Sequence, residues 1–310
     1  MGIYSGVDWP RWEAETYPEL EDLAIMVPIF AALFPTIRFF LDQFVFEIVG
    51  RQLFDRKSGA SEKKLIDAEK LELEKKLVKF KESGWKGIYY FSAEIFALLI
   101  TYKEPWFWDT KYFWMGPGDQ VWPEQKVKFK LKVLYSFAAG FYTYSIFALI
   151  FWETRRKDFG VSMSHHIASL FLIVCSYKIR FARIGSVVLA VHDASDIFME
   201  IAKMNKYAGT PIIPDVFFVL FALSWFLLRL IYYPFWIIWS TSYESIQILK
   251  LKEHKAHGPI FYYIFNMLLI GLLVLHIYWW ILIYRMLAKQ IEARGKVGDD
   301  VRSDSEDEDE

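Results

Sequence analysis

Apolar residues in this chain come in long blocks, not in the short alternations of half-buried strands or the one-sided stripes of surface helices. A membrane-crossing helix needs about 20 mostly apolar residues. Blocks near that length fall at about 23–41, 85–102, 129–152, 163–179, 183–203, 212–238 and 260–286. Lipid offers no partner to open strand edges, so the blocks are expected to be helices. The pattern predicts an all-α polytopic membrane protein with about seven transmembrane helices. Pro28, Pro35 and Arg38 interrupt the first block, and polar residues interrupt the fourth and fifth. Residues 1–22 are acidic and lack an apolar core, so the first block is expected to act as an uncleaved anchor.

Composition sharpens this picture. The 310 residues are 55% hydrophobic, 19% aromatic and 24% charged, which excludes a disordered chain and an ordinary water-soluble enzyme. Cys175 is the single cysteine, so an intrachain disulfide and a cysteine-based zinc site are excluded. The net charge of −1 hides an asymmetry, because residues 299–310 are strongly acidic and the remainder is basic. No nucleic-acid partner is expected. Of the two alternating loop sets, residues 42–84, 153–162, 204–211 and the C-terminus hold the larger share of Lys and Arg. The positive-inside rule therefore places these loops and the C-terminus in the cytosol.

Three connecting segments have character of their own. Residues 61–82 read as a basic helix with an irregular stripe of Leu65, Ile66, Leu71, Leu77 and Val78, lying on the cytosolic leaflet or serving as a solvated linker. Loop 103–128 concentrates Trp106, Trp108, Trp114 and Trp122 among prolines and reads as an interfacial aromatic belt. The acidic tail is disordered by composition, and Ser303 and Ser305 each have an acidic residue three positions on, the pattern of phosphorylation sites.

Ionisable residues inside spanning segments are costly and are functional candidates. The fourth block begins SMSHHIASL, with His165 and His166 adjacent. The fifth reads VLAVHDASDIFMEIAKM, and its His192, Asp193, Asp196, Glu200 and Lys203 fall within an arc of about 100° on a helix. The two blocks are joined by a short turn near Arg180 and Phe181. Equal distance from that turn sets His166 level with Asp196 and predicts a His–Asp pair. Imidazole beside carboxylate is a proton-transfer or nucleophilic unit; a structural polar pair is the competing reading. No metal is expected, because adjacent helical histidines diverge by about 100° and the HExxH spacing is absent. Cys175 reads as a small core residue. Arg229 reads as a side chain snorkelling to the membrane edge. His276 reads as facing the bundle.

These residues resemble the signature of the ceramide synthase (longevity-assurance) family within the TLC-domain superfamily. The match lies in residues 164–204, with the paired His, HDxSD and Glu200, and in RLIYYP from Arg229 and LxxLHxYW around His276. The start MGIYSGVDWPRWEAETYP resembles plant members. The resemblance implies an endoplasmic-reticulum acyltransferase that moves a fatty acyl chain from acyl-CoA to the amine of a long-chain sphingoid base. Acyl-CoA is then a co-substrate, and no bound cofactor is implied. It implies six helices in a ring around an apolar cavity, plus one N-terminal helix. It assigns His165, His166, Asp193 and Asp196 to catalysis, with His192, Glu200, Arg229 and His276 in support. Arg155, Arg156, Lys157 and Lys203 are candidates for the CoA phosphates. The implied organisation is an N-terminal segment over 1–79, a catalytic membrane domain over 80–290 and a cytosolic tail over 291–310. Membrane lipids surround it, and a homodimer or a heterodimer with related synthases fits the resemblance. A non-catalytic lipid sensor or carrier of the same superfamily is the alternative.

Overall fold

A computed structural model of the protein describes residues 12–58, 67–116, 118, 120–249, 258–293 and 298. Helix α1, Leu20–Leu41, continues through a π-helical turn, Asp42–Phe46, into α2, Glu47–Ser58. It is followed by α3 (Asp67–Thr101), α4 (Phe129–Phe151), α5 (Phe159–Lys178) and α6 (Ala182–Tyr207). Helix α7 starts at Ile213–Trp225, widens into π-helix over Phe226–Ile238 and Ser240–Glu244, and ends at Leu249. Helix α8 is Gly258–Glu292. Five stretches are long and apolar enough to cross a membrane: Leu20–Phe54, Phe129–Phe151, Phe159–Lys178, Ile213–Leu249 and Ile260–Glu292. The chain is a multi-pass, all-α membrane protein. Its outer faces carry large exposed apolar side chains such as Ile25, Ile29, Leu99, Phe151, Phe235, Met267 and Val274, as lipid contact requires.

Several elements differ from the sequence expectation. Pro28 and Pro35 do not break α1. Arg38, on the same helix, is buried rather than lipid-facing. It donates to Tyr144 Oη at 2.8 Å, lies 3.5 Å from Asp42 and 3.7 Å from Glu153, and caps the Trp152 ring at 4.5 Å. The basic stretch that reads as a separate surface helix is, from Asp67 onward, the first half of the 35-residue α3. Leu77 is buried there beside Gly50, with Phe80, Phe46 and Phe54 in the same cluster, while Leu71 and Val78 are exposed. Leu65 and Ile66 lie outside the described residues.

The π-helical widening of α7 has a local cause. Pro234 has no N–H, and its ring collides with the carbonyl one turn earlier. An i→i+5 turn relieves that collision, and such widened turns are frequent at functional sites.

Connections at the two ends segregate as alternation requires. At one end, β1 (Glu15–Thr16) pairs antiparallel with β2 (Val127–Lys128), setting Glu15 opposite Lys128. Lys130 and Lys128 also bind Glu13 and hold its carboxyl below the ordinary carboxylate range. Loop 103–128 folds inward here, which corrects the belt reading. Trp114, Trp122 and Trp106 are buried, and only Trp108 is largely exposed. Their indole N–H groups donate to Ser240 Oγ (3.0 Å), the Ile179 carbonyl (2.8 Å) and Ser186 Oγ (3.3 Å). At the other end, Lys86 bridges Glu82 (3.0 Å) and Glu153 (2.7 Å), and Arg156 reaches Glu82 at 2.8 Å.

Helix pairs in contact include α1 with α4 and α5, α3 with α6 and α4, α4 with α5 and α6, α5 with α6, α6 with α7, α7 with α8, and α8 with α5. The α1–α4 contact leans on a glycine. A Cβ at Gly140 would lie 2.4 Å from Phe30 Cβ and 3.2 Å from the Ala31 backbone nitrogen. We expect Gly140→Val to lower the melting temperature of the full chain in detergent, since overpacking costs about 1–3 kcal/mol. Gly160→Ala, where a Cβ would meet nothing within 4 Å, should leave it unchanged. Equal melting temperatures for both variants would show that the close approach is not needed.

Candidate active site

Helices α5 and α6 bring the polar residues of the membrane interior together. His165 and His166 follow each other on α5 and reach a cavity of about 1010 Å³ that also contacts His192, Asp193, Asp196, Glu200, Lys203 and Arg229. This vestibule is polar toward the Lys86–Arg156 end, where Lys75, Lys76, Lys79 and Lys206 join its wall. A second, apolar chamber lies toward the tryptophan loop, lined by Trp114, Trp122, Phe181, Leu172, Leu189 and Phe265 among others. Tyr142 and His192 border both spaces.

The histidines form a cluster rather than a His–carboxylate pair. His165 stacks on His192, with centroids 6.4 Å apart and planes at 20°. Trp279 meets the His165 ring edge-on at 5.2 Å, and Tyr142 lies 5.6 Å from the His166 ring. The Nδ1 atoms of both His165 and His166 are buried without a hydrogen-bond partner. Behind them, His192 Nδ1 donates to the Val188 carbonyl at 2.6 Å, and His192 Nε2 meets His276 Nε2 at 2.8 Å. With both rings neutral, the Val188 bond fixes His192 as the Nδ1–H tautomer, so His276 Nε2–H is the donor. His276 is fully buried, and its Nδ1 then presents an unshared pair without a donor.

The carboxylates sort by partner. Asp196 binds Arg229 Nη2 at 2.6 Å, and the same Nη2 donates to the His192 carbonyl. Arg229 is buried, with Trp225 under its guanidinium at 3.8 Å, so it does not snorkel to the membrane edge. The sequence-level pairing of His166 with Asp196 is therefore replaced by Asp196–Arg229. The helix-depth argument places residues along the membrane normal and is blind to a third helix that offers a better counter-charge. Glu200 binds Lys203 at 3.0 Å. Asp193 lines the vestibule without a hydrogen bond or ion pair among the described residues.

Of the four basic CoA candidates, Arg156 and Lys203 line the vestibule. Arg155 instead lies over the Phe159 ring at 4.3 Å, and Lys157 is not on the vestibule wall. Lys86, Tyr142, Trp279 and Glu94 were not singled out from sequence. Lys86 and Glu94 carried the same signal as the rest, a charge inside an apolar block. Cys175 packs beside the apolar core. Ser303 and Ser305 lie outside the described residues. Among the described residues, no three His, Cys, Asp or Glu side chains gather as a metal site.

The arrangement defines a membrane-embedded site in which imidazoles sit at the junction of a polar and an apolar compartment. A model of the TLC domain matches residues 79–285, and the chain belongs to that family. Within it, the chain falls among the plant ceramide synthases. It is 62% identical over 308 residues to an ASC1-like protein of Solanum lycopersicum, covering 99% of each chain. It is 60% identical to Ceramide synthase 1 LOH3 of Arabidopsis thaliana, covering 100% of this chain and 99% of the other. Ceramide synthase 4 of Mus musculus is 36% identical over 232 residues, covering 74% of this chain and 55% of that one.

Removing one partner of a buried ion pair typically costs about 3–5 kcal/mol, because the other charge is stranded. Arg229→Met should therefore lower the melting temperature sharply, and adding Asp196→Asn should recover most of the loss. A single variant as stable as the parent would show that the pair does not hold α6 to α7.

Proposed function

We propose that the protein is a sphingoid-base N-acyltransferase of the endoplasmic-reticulum membrane, taking its acyl group from acyl-CoA. The observation that carries this reading is that His165 and His166 lie on the wall of a lysine-lined vestibule beside His192, which also borders an apolar chamber. A thioester held there has its CoA phosphates among Arg156, Lys203 and the vestibule lysines, with an alkyl chain in the chamber. The relatives named ceramide synthase support the same activity.

His165 and His166 serve as the catalytic imidazoles. Either an imidazole nitrogen or the substrate amine attacks the thioester carbonyl. In both routes the C–S bond breaks, an amide C–N bond forms, one proton goes to the departing thiolate and one to a base; in the imidazole route an acyl–imidazole bond forms first and breaks when the amine takes the acyl group. Asp193 and Asp196 act with the histidines, Asp196 through Arg229. His192, His276, Arg229 and Glu200 hold the frame.

In this reading residues 80–290 are the catalytic domain, with α3, α6, α7, α8, α5 and α4 as a closed ring of six spans. The pairwise contacts of those helices support the ring. Helix α1 is the seventh span, packed outside on α4, within the N-terminal segment 1–79. Residues 291–310 form the cytosolic tail, with Ser303 and Ser305 as phosphorylation sites.

Membranes from cells lacking their own ceramide synthases, but expressing this chain, should form N-acylated base from acyl-CoA and a long-chain base. Absence of product with the chain present in the membrane would overturn the reading. His165→Ala and His166→Ala should each reduce product formation at least 100-fold without loss of membrane protein, the lower end of what general acid–base groups contribute. Topology is tested in a Cys175→Ser background. Cysteines at exposed Glu72 and Lys111 should be labelled from opposite faces, Glu72 from the cytosol. Labelling of both from one face would break the seven-span arrangement.

A further inference from the structure

The cationic side chains that reach into the bundle have carboxylate partners: Lys86 with Glu82 and Glu153, Arg229 with Asp196, Lys203 with Glu200. Among the described residues, Glu244 on α7 has no cation but accepts from Ser240 Oγ at 2.7 Å, and two other intramembrane carboxylates have neither an ion pair nor a hydrogen bond. Asp193 is only 8% exposed, lines the vestibule next to His192, and has no hydrogen bond or ion pair among the described residues. The second is Glu94 on α3, whose Oε2 is buried without a partner.

The packing of α3 on α6 sets these two groups at one level of the bundle, with Asp193 on the vestibule wall. The helices run antiparallel. A Cβ at Gly87 would lie 3.6 Å from Glu200 Cβ, which fixes the register. Seven residues, about two turns, lead along α3 from Gly87 to Glu94 and back along α6 from Glu200 to Asp193. The same interval therefore sets Glu94 opposite Asp193. Tyr90, one turn before Glu94 on α3, lines the vestibule. Two facing carboxylates in a low-dielectric interior repel unless one takes up a proton or a cation sits between them.

We propose that Glu94 and Asp193 form the binding subsite for the ammonium group of the long-chain base, with Glu94 as a positioning residue and Asp193 at the reacting nitrogen. This rests on the acyl-transfer reading above. A long-chain amine is a cation at neutral pH, and its alkyl chain confines it to the membrane. The subsite holds it beside the histidines as R–NH3+. One proton leaves to a base before the nitrogen attacks, and a second goes to the departing thiolate. Asp196 and Glu200 do not serve, since Arg229 and Lys203 already neutralise them.

The test uses the full chain in detergent and two non-reacting probes. One is a long-chain base with a dimethylated nitrogen, which keeps the cation. The other carries a hydroxyl in place of the amine. The parent protein should be inhibited by the cationic probe about ten-fold or more better than by the neutral one, as hydrogen bonds to charged groups warrant. Glu94→Gln should lose about ten-fold of that preference and raise KM for the base, with KM for acyl-CoA unchanged. Glu94→Asp should restore the preference. Should Glu94→Gln fail to fold, Glu94→Ala should show the same loss. Unchanged preference in the neutral variant, or an equal rise in both KM values, overturns the subsite. Thermal stabilisation by the two probes repeats the comparison without turnover. Cation-selective stabilisation lost in Glu94→Gln, in a protein that acylates no base, would support the subsite and sink the acyl-transfer reading instead.

Discussion

The buried Arg229–Asp196 pair is the interaction on which the site depends. One guanidinium neutralises Asp196, takes the His192 carbonyl and rests on Trp225 of its own helix, so one side chain ties α7 to α6. That carbonyl belongs to the turn that carries His192, the ring on which His165 stacks. A buried pair of this kind is a weak source of net stability, because desolvation offsets its attraction. Its value lies in specification: few other packings of α6 on α7 would leave Asp196 compensated.

Around that pair the protein keeps charge and grease apart. Lysines gather at one mouth, aromatic and aliphatic side chains line the other compartment, and Tyr142 and His192 stand at the boundary. A substrate with an anionic head and a long alkyl tail has one orientation in such a space. The aromatic cluster of Phe34, Trp85, Tyr89, Phe141 and Tyr144 locks α1, α3 and α4 together behind it, and Phe141 also lines the vestibule.

Much of this was legible in the sequence, for identifiable reasons. Long apolar blocks locate helices because lipid permits little else. The clustering of His192, Asp193, Asp196, Glu200 and Lys203 on one face followed from helical periodicity alone. What could not be read was lateral. The partner of Asp196 sits on α7, 33 residues away, and nothing local announces it. Pro28 and Pro35 looked like breaks, yet α1 runs through both. The tryptophans of loop 103–128 looked interfacial, but hydrogen bonds to Ser240, Ile179 and Ser186 turn three of them inward. Glu94 stands alone in an apolar block, and only the register of α3 against α6 gives it a neighbour.

The composition of α6 has a consequence for how the chain is made. By itself this helix is too polar to rest in hydrocarbon, and it is not among the stretches apolar enough to cross unaided. Its counter-charge, Arg229, is synthesised later, on α7. Neither helix is at ease without the other. Insertion of α6 is therefore provisional until α7 emerges, and the two pass into lipid as a neutralised hairpin. The charges of the candidate site thus bear on how the chain enters the membrane.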